Sequence, residues 1–566
     1  MKIDYPVRIR TVPLSPEVRS RTLQRLAREE FDLCVIGGGI TGAGIARESS
    51  LRGLKTALVE KADFASGTSS KSSKLVHGGF RYLRQLDFRL VHEALVERYI
   101  LLHLAPHIVW PQECIFPVYR DSREPPWMVR IGMVLYDLLS AGRGIRRHRM
   151  AAADELARLV PVLRRENLRG GAIYYDAKGD DFRLVLSSIQ SAVLAGAQVA
   201  SYVRAVGFEK NGGRITELAC RDELGGETFT LRSRVFVNAA GPWSDQIRRL
   251  AEPALSQRVR TTKGIHLLVP RTRLPLKQAF MVLSELDGRP LFAVPWRNIV
   301  LLGTTDTDFH GDPDELWATR EEVDYLLQSF NHYFPAVHLT DGDIISSFAG
   351  LRPLVYEPDK PASAVTREHL IFEAPENVFN IVGGKLTTYR RMAADLLNVI
   401  RRRRPSLQIP TGAASLRTPL YGAEVPDYPA FRQRERAQLT AKFGLPGEIA
   451  DHLLDTYGVH VRDLEPFLLE DPSLRQPIVP GLPFIWAQLP YAIEHEMTVA
   501  LDDFLIRRTH ILSLDWDQGR SVADQAAGAM KLRLGWSEEE KQRQIARYLA
   551  KVNLTRRFRR NAAPAD

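Results

Sequence analysis

The segment FDLCVIGGGITGAGIARESSLRGLKTALVEK, residues 31–61, constrains the fold more than any other part of the sequence. It predicts an apolar strand, a glycine turn, a helix and a second strand that ends at Glu60, 23 residues after Gly37. Gly37 permits the tight turn, Gly39 lets backbone amides approach a pyrophosphate, and Gly42 lets the helix pack closely on the strand. The Glu60 carboxylate suits a ribose 2′-hydroxyl. This context predicts a Rossmann-like, dinucleotide-binding α/β domain.

Length and composition limit the alternatives. A chain of 566 residues is too long for one compact core and predicts several domains. The three widely spaced cysteines, Cys34, Cys114 and Cys220, predict neither a disulfide framework nor a zinc site, and they fit a reducing compartment. No stretch of 18 uncharged apolar residues occurs, so any contact with a membrane is expected to be peripheral.

The net charge of +10 suggests an anionic partner: nucleic acid, a membrane surface or small anions. No basic stripe alternates with aromatic residues and no nucleic-acid-binding module is recognisable, so nucleic acid is not predicted as a partner. The basic leader PEVRSRTLQRLAREE, residues 16–30, predicts a helix that either lies on an anionic leaflet or forms a solvated cap.

The stretch SGTSSKSSKLVHGGFRYL, residues 66–83, follows the first βαβ unit and is rich in hydroxyls but poor in core-forming residues. Short hydroxyls and backbone amides can line a ribityl chain and the edge of a flat ring without crowding them. This favours FAD over NAD, with a flexible serine-rich linker as the alternative. The predicted cofactor-binding residues of this stretch are Thr68, Ser69, Ser70, Ser73, Lys74, Leu75 and His77.

Two later segments support a flavin. VFVNAAGPWSD, residues 235–245, predicts a strand followed by a small-residue turn at Gly241, and Val203 is included in the same cofactor set. NIVGGKLTTYR, residues 380–390, predicts a strand that ends in glycines and a helix that begins at about Leu386. A helix N-terminus beside the flavin pyrimidine would stabilise the charge of the reduced ring. The residues assigned here are Gly384, Lys385, Leu386 and Thr387.

A set of ordered motifs resembles the FAD-dependent, respiratory-type glycerol-3-phosphate dehydrogenases: VIGGGITGAGIA, TSSKSSKLVHGGFRYL, KGIHLLVP, LLGTTDTDFHGDP, GLRPL and GGKLTTYR. The resemblance runs from about residue 31 to 392 and continues more faintly in residues 486–511. It implies a flavoprotein fold of the D-amino-acid oxidase type. It also implies oxidation of sn-glycerol 3-phosphate to dihydroxyacetone phosphate, transfer of electrons through FAD to quinone, and attachment to a membrane surface.

Within the matching motifs, five residues are candidates for the substrate site. Arg81 and Arg352 could bind the phosphate bidentately, although each could instead form a surface ion pair. His266 is the candidate base, because an imidazole titrates near working pH, although a histidine in an apolar strand is often structural. Lys385 could act as base or stabilise an alkoxide or reduced flavin, and Tyr82 could donate a hydrogen bond to substrate.

The resulting fold class is α/β (α+β), with a Rossmann-like FAD-binding domain, a β-rich substrate or cap domain and a helical C-terminal domain. The FAD-binding domain is predicted to be discontinuous, over residues 31–104, 171–260 and 346–400. The other predicted units are a leader (1–30), a cap region (105–170), a β-rich substrate domain (261–345), a linker (401–412) and a helical domain (413–566).

Competing functions remain open. An oxidase would perform the same half-reaction with oxygen as acceptor, and an amine or amino-acid oxidase of the same superfamily would bind a carboxylate instead of a phosphate. A flavoprotein without catalytic activity is the alternative from a different functional class. No metal is predicted, because the calcium-like loop 306–317 ends in Trp317 and HEMTV lacks a second histidine. We also expect a homodimer that lies at the inner face of a bacterial cytoplasmic membrane.

Overall fold

The computed structural model describes residues 1–357 and 368–559, except for the side chains of Arg81, Arg84 and Gln85. The strands of the described chain are β1 (Glu30–Phe31), β2 (Leu33–Ile36), β3 (Thr56–Val59), β4 (Leu75–Val76), β5 (Val109–Tyr119), β6 (Arg149–Ala151), β7 (Leu168–Gly179), β8 (Gln198–Ala200), β9 (Val203–Asn211), β10 (Arg214–Asp222), β11 (Thr228–Ser233), β12 (Phe236–Asn238), β13 (Val259–Pro270), β14 (Ala279–Leu283), β15 (Pro290–Trp296), β16 (Ile299–Gly303), β17 (Thr307–Asp308), β18 (Ser346–Val355), β19 (His369–Glu373) and β20 (Val378–Gly383).

The α-helices of the described chain are α1 (Pro16–Arg28), α2 (Ile40–Leu51), α3 (Phe88–Leu104), α4 (Pro126–Leu139), α5 (Ala153–Leu159), α6 (Asp181–Leu194), α7 (Ser244–Ala251), α8 (Arg320–Tyr333), α9 (Tyr389–Arg403), α10 (Tyr428–Phe443), α11 (Gly447–Tyr457), α12 (Glu465–Glu470), α13 (Gln488–His495), α14 (Ile511–Leu514), α15 (Arg520–Leu534) and α16 (Glu538–Thr555). Within the same residues, no helix is both long enough and apolar enough to cross a bilayer.

The nucleotide-binding half is built on a six-stranded sheet in the order β19-β20-β12-β2-β3-β8. All of its strands run parallel except the edge strand β19. Strand β2 is buried along its whole length, because both faces of the sheet are covered. Leu33 and Val35 pack in the core formed with helices α2, α6 and α9, whereas Cys34 and Ile36 pack towards the sheet β1-β11-β10-β9.

The order of the strands reverses at β2, because the chain continues to β3 on one side and β12 lies on the other. Ligands of open α/β sheets bind outside the carboxyl ends of the strands at such a switch point. The predicted glycine turn lies there, between β2 and α2. Gly37 has a φ of +113°, which L-amino acids with side chains rarely adopt.

The second half is a large mixed sheet in the order β17-β13-β16-β15-β14-β5-β7-β4, with β18 paired to β13 and β6 paired to β7. The predicted cap region 105–170 and the predicted substrate domain 261–345 both supply strands to this sheet. Antiparallel pairing of β13 with β18 places Thr262 opposite Arg352 and His266 opposite Phe348. The pairing therefore places His266 and Arg352, both predicted to contact the substrate, on neighbouring strands.

Buried ion pairs tie the helical C-terminal region to the nucleotide-binding half. Asp63, which follows β3, accepts from the guanidinium groups of Arg507 and Arg508, and Arg183 of α6 pairs with Glu496. Because unpaired buried charges are costly, separating these regions would leave several such charges uncompensated.

The sequence pattern of AIEHEMTVALDDFLIRR, residues 492–508, also predicts one continuous helix, and this prediction is wrong in its middle. Helix α13 ends at His495, and the next helical stretch, of π type, spans Asp503–Arg508. The Asp503 carboxylate accepts from the backbone N–H groups of Val499 and Ala500, and the Met497 N–H donates to the carbonyl of Leu14. These bonds replace the helical ones.

Helix α1 packs against the fold through one side, while Arg21, Arg25 and Arg28 on its other side are exposed. Its Leu26 is fully buried, and Arg19 forms an ion pair with Asp222 at 2.6 Å and donates to the carbonyl of Ser201. The apolar side of this helix therefore packs against the rest of the fold.

Replacing Gly42 by alanine should prevent the βαβ unit from packing. A Cβ at this position would lie 1.8 Å from the carbonyl oxygen of Gly37, and both groups are backbone. We expect Gly42→Ala to be recovered as unfolded or cofactor-free protein, as judged by thermal unfolding and bound flavin.

Gly528→Ala is the matched control, because Gly528 lies in helix α15 with open space around the added methyl group. It should be neutral or stabilise the protein by about 0.5–1 kcal/mol. An unchanged melting temperature for Gly42→Ala would contradict this description of the turn.

Candidate active site

A cavity of about 700 Å³ opens between the six-stranded sheet and the large mixed sheet, at the carboxyl ends of the parallel strands. This volume is within the range of cofactor and small-molecule sites, about 300–1,000 Å³. Most residues predicted from the sequence line it: Gly37, Gly39, Glu60, Thr68, Ser69, Ser73, Leu75, His77, Tyr82, Val203, Gly241, His266, Arg352, Gly384, Lys385, Leu386 and Thr387.

Three of the predicted cofactor residues do not line the cavity. Gly42 packs against the Gly37 carbonyl, and Ser70 is absent from the lining. The ammonium of Lys74 forms a buried ion pair with Asp181 of α6. The Lys74 side chain therefore anchors this segment to α6 and does not line the cavity. The side chain of Arg81, predicted to bind phosphate, lies outside the described part of the chain.

The dinucleotide end of the cavity is organised by Glu60 and Ser69. The Glu60 carboxylate accepts from the N–H of Gly38 at 2.6 Å and from the N–H of Ala62 at 3.0 Å. Burial raises the pKa of Glu60, and these two backbone hydrogen bonds act in the opposite direction. Because a carboxylate offers about four acceptor positions, a ribose hydroxyl can still be bound. The Ser69 hydroxyl accepts from the N–H of Ile40, the first residue of α2, at 2.9 Å.

The turn after β20 also lines the cavity. Gly383 and Gly384 have φ values of +80° and +83°, and a Cβ at Gly384 would lie 2.4 Å from the sulfur of Met392. A 3₁₀ turn, Leu386–Thr388, then leads directly into α9. The N-terminal end of this helical stretch thus faces the cavity, as the sequence predicted.

His266 projects from β13 into the cavity. Its Nε2 lies 2.8 Å from the Ser73 hydroxyl, and its ring stacks on Phe348 with centres 4.9 Å apart. Burial, followed by the positive charges of Arg352 and Lys74, lowers the pKa of His266 to about 3. The imidazole is therefore neutral at pH 7 and can accept a proton. Its Nδ1 is buried and has no hydrogen-bond partner among the described residues.

Arg352 is held by the loop that follows β16. It donates to Asp306 at 3.0 Å, to the Thr304 hydroxyl at 2.9 Å and to the Thr305 carbonyl at 3.0 Å. Its guanidinium crosses over Gly264 of β13, where a Cβ would lie 2.4 Å from Nη2. The absence of a side chain at position 264 thus makes room for the arginine beside His266.

Lys385 and Tyr82 meet in the lining of the same cavity. The ammonium of Lys385 lies 3.8 Å from the centre of the Tyr82 ring, a cation–π contact. Tyr82 is only 4% exposed. The lysine charge is therefore positioned at the cavity by an aromatic ring, on the side where the glycine turn of β20 ends.

Sequence reasoning missed several lining residues, including Lys71, Trp243 and Lys551. Burial, with the charges of Lys551 and Arg507, lowers the pKa of Lys71 to about 8. The indole N–H of Trp243 is buried without a partner in the described chain. Lys551 belongs to α16, and no local pattern in that helix links it to a cavity whose other lining residues lie between Ile36 and Thr387.

The cavity therefore fits a flavin dinucleotide. It combines a glycine cradle at Gly37, a carboxylate for a ribose and the start of a helix. It also holds two buried nitrogens, His266 Nδ1 and Trp243 Nε1, that have no hydrogen-bond partner among the described residues. Arg352 and Lys385 add positive charge next to a neutral imidazole. This arrangement can bind an anionic substrate and remove a proton from it.

Comparisons with known proteins agree with this geometry. Residues 32–388 match the family model described as FAD dependent oxidoreductase, and residues 414–541 match the C-terminal domain of alpha-glycerophosphate oxidase. A glycerol-3-phosphate dehydrogenase of Synechocystis sp. is 37% identical over 547 residues, which cover 93% of this chain and 97% of the relative. An aerobic glycerol-3-phosphate dehydrogenase of Staphylococcus haemolyticus is 33% identical, covering 93% and 94%.

Among solved structures, the glycerol-3-phosphate dehydrogenase of Bacillus halodurans complexed with FAD superposes with a TM-score of 0.81 at 30% identity, covering 98% of this chain and 100% of that one. Glycine oxidase of Geobacillus kaustophilus shares only the fold, with a TM-score of 0.51 at 20% identity and 66% of this chain covered. These matches confirm the predicted fold class.

The depressed pKa of His266 predicts that its ring does not titrate between pH 5 and pH 8 in the substrate-free, FAD-loaded protein. Histidine ¹⁵N NMR would check this, with the His266 signals assigned by their loss in His266→Gln. A lower pKa in the folded state also means that His266 costs stability as the pH falls below its ordinary pKa. Signals that titrate with a pKa of 6–7 would contradict the burial and the influence of Arg352.

Proposed function

Because this chain belongs to the family of FAD-dependent glycerol-3-phosphate dehydrogenases, we propose that it oxidises sn-glycerol 3-phosphate to dihydroxyacetone phosphate and passes the electrons to a membrane quinone. FAD is the cofactor, and it would supply the acceptor for the C2 hydrogen, which leaves as a hydride. The same proposal places the enzyme peripherally on the inner face of a bacterial cytoplasmic membrane, where a quinone is available.

The observation that carries the proposal is the meeting of His266 and Arg352 in the cavity that the glycine turn opens. In the proposed reaction, neutral His266 accepts the proton of the C2 hydroxyl while the C–H bond breaks, so that a ketone is formed. Ser73, 2.8 Å from Nε2, orients the imidazole. Arg352 binds the phosphate, and Arg81 is proposed as its partner on the basis of its motif.

Electrostatics favours a dianionic substrate in this site. Arg352 is the second largest cause, after burial, of the low pKa of His266. A phosphate beside Arg352 would offset that positive charge and raise the pKa of His266. The base would therefore become stronger when the substrate is bound. Lys385 supplies further positive charge for a developing alkoxide or for the reduced ring.

Substrate screening tests the proposal. The FAD-loaded enzyme should reduce a soluble quinone with glycerol 3-phosphate, but not with glycerol or alanine, which lack the phosphate. Reduction by alanine would support an amino-acid oxidase instead. If glycerol 3-phosphate reduced none of the electron acceptors tested, the proposed substrate would be refuted.

Oxygen is the second candidate for the acceptor, because residues 414–541 match a domain described from alpha-glycerophosphate oxidase. Oxygen uptake with release of hydrogen peroxide, at a rate matching turnover with quinone, would favour the oxidase. Rapid quinone reduction with little peroxide would favour the dehydrogenase.

Arg352→Ala should raise KM for glycerol 3-phosphate by about 10- to 100-fold, the loss expected for a hydrogen bond to a charged group. Bound FAD should be unchanged. Arg260→Ala is the matched control, because Arg260 pairs with Asp308 on the same sheet without lining the cavity. It should leave KM within about twofold. Equal effects of the two variants would argue against a phosphate role for Arg352.

Gly264→Ala should raise KM in the same direction without removing any charge, because its Cβ would occupy space within 2.4 Å of the Arg352 guanidinium. Steady-state kinetics with glycerol 3-phosphate would measure this effect, and flavin absorption would verify that cofactor is retained. Wild-type KM in Gly264→Ala would mean that the position of the guanidinium does not determine substrate binding.

A further inference from the structure

Helix α4 carries apolar side chains on both of its sides. On the inner side, Val129, Met133 and Tyr136 are buried in the core. On the outer side, large apolar residues recur at helical spacing and remain in solvent. They are Trp127 (62% exposed), Met128 (45%), Ile131 (59%), Val134 (43%) and Leu138 (71%).

Two further exposed apolar residues flank α3, which packs beside α4. Leu86 immediately precedes this helix and is 71% exposed, and Phe88 begins it and is 40% exposed. Several large exposed apolar side chains on two neighbouring helices are uncommon on proteins that meet only water, and larger apolar patches mark interaction surfaces.

The surroundings of α4 are strongly basic. Residues 120–149 contain seven arginines against three acidic residues, Asp121, Glu124 and Asp137, a net formal charge of +4. All seven arginines are exposed: Arg120, Arg123, Arg130, Arg143, Arg146, Arg147 and Arg149. Of the acids, Asp137 is already bound to His148 at 2.8 Å. An apolar helix face bordered by arginines is the pattern of a helix that lies in the interface of an anionic bilayer.

We propose that α4, with Leu86 and Phe88, is the surface by which this enzyme docks on an anionic lipid leaflet. The outer apolar side chains enter the boundary between headgroups and acyl chains, and the arginines contact lipid phosphates. Arg130 lies on α4 itself and can extend its guanidinium to the headgroups while its stem stays in the apolar layer. The positive charge favours lipid over a second copy of this basic chain.

The position of α4 in the fold connects this surface to the site. The Tyr136 hydroxyl donates to Asp176 at 2.8 Å, and the same carboxylate oxygen accepts from the N–H of Gly78 at 3.0 Å. The Phe80 ring lies 5.8 Å from the Tyr136 ring. Gly78 and Phe80 belong to the segment whose His77 and Tyr82 line the cavity. Docking through α4 thus brings this wall of the cavity close to the leaflet.

The role given to this docking surface rests on the proposed function, because a quinone dissolved in the bilayer must reach the reduced cofactor. The docking surface itself is defined by exposure and charge alone. Docking and catalysis can therefore fail independently, and separate measurements distinguish them.

Vesicle binding tests the docking surface. Wild-type, FAD-loaded enzyme should co-sediment with vesicles of phosphatidylcholine and phosphatidylglycerol, and bind at least tenfold more weakly to phosphatidylcholine alone or at high salt. The double variant Ile131→Glu/Leu138→Glu should lose at least tenfold in affinity for the anionic vesicles. Both residues are already exposed, so the fold should persist.

Leu532→Glu is the matched control, because Leu532 is 86% exposed on α15. It should bind vesicles like wild type. All three proteins should have the same activity with glycerol 3-phosphate and a soluble quinone. Wild-type vesicle binding by the double variant, or no binding of wild type to anionic vesicles, would overturn the docking proposal while leaving the proposed function intact.

A dimer of wild type that the double variant disrupts, with vesicle binding unchanged, would assign the surface to a second copy and likewise overturn the proposal. Loss of vesicle binding in the double variant, combined with no activity of wild type on glycerol 3-phosphate, would support the docking surface and refute the proposed function.

Discussion

The close approach of helix α2 to the glycine turn determines the geometry of the whole site. Because Gly42 leaves no space for even a methyl group beside the Gly37 carbonyl, α2 begins at one fixed position at the end of β2. Ser69 binds the first N–H of that helix, and four residues later Ser73 binds His266. One short segment therefore links the nucleotide end of the cavity to the proposed base.

The charges around the cavity make the basicity of His266 depend on whether the substrate is bound. In the substrate-free protein, burial and neighbouring cations keep His266 neutral but weakly basic. Lys71, whose pKa is also lowered, and Lys551 add to the positive field at the same cavity. A dianion would neutralise part of this field, so that binding energy and base strength increase together. A neutral polyol would gain neither.

The sequence predicted the parts of the site that depend on local patterns. The glycine turn, Glu60 and the helix start near Leu386 follow from spacing, and they lie where they were expected. The ion pair of Lys74 with Asp181 was not foreseen, because the two residues are more than 100 positions apart. The placement of Arg352 over Gly264 requires the register of β13 and β18, and the break after His495 requires the carboxylate of Asp503. Such long-range contacts leave no periodic signal.

Anaerobic mixing of the purified, FAD-loaded protein with glycerol 3-phosphate, followed by the visible absorption of the flavin, tests the central claim most directly. The account predicts that the oxidised flavin spectrum bleaches within the enzyme's turnover time and that glycerol produces no change. A flavin that stays oxidised in the presence of the phosphate ester would contradict the assignment of His266 and Arg352 to a site for its oxidation.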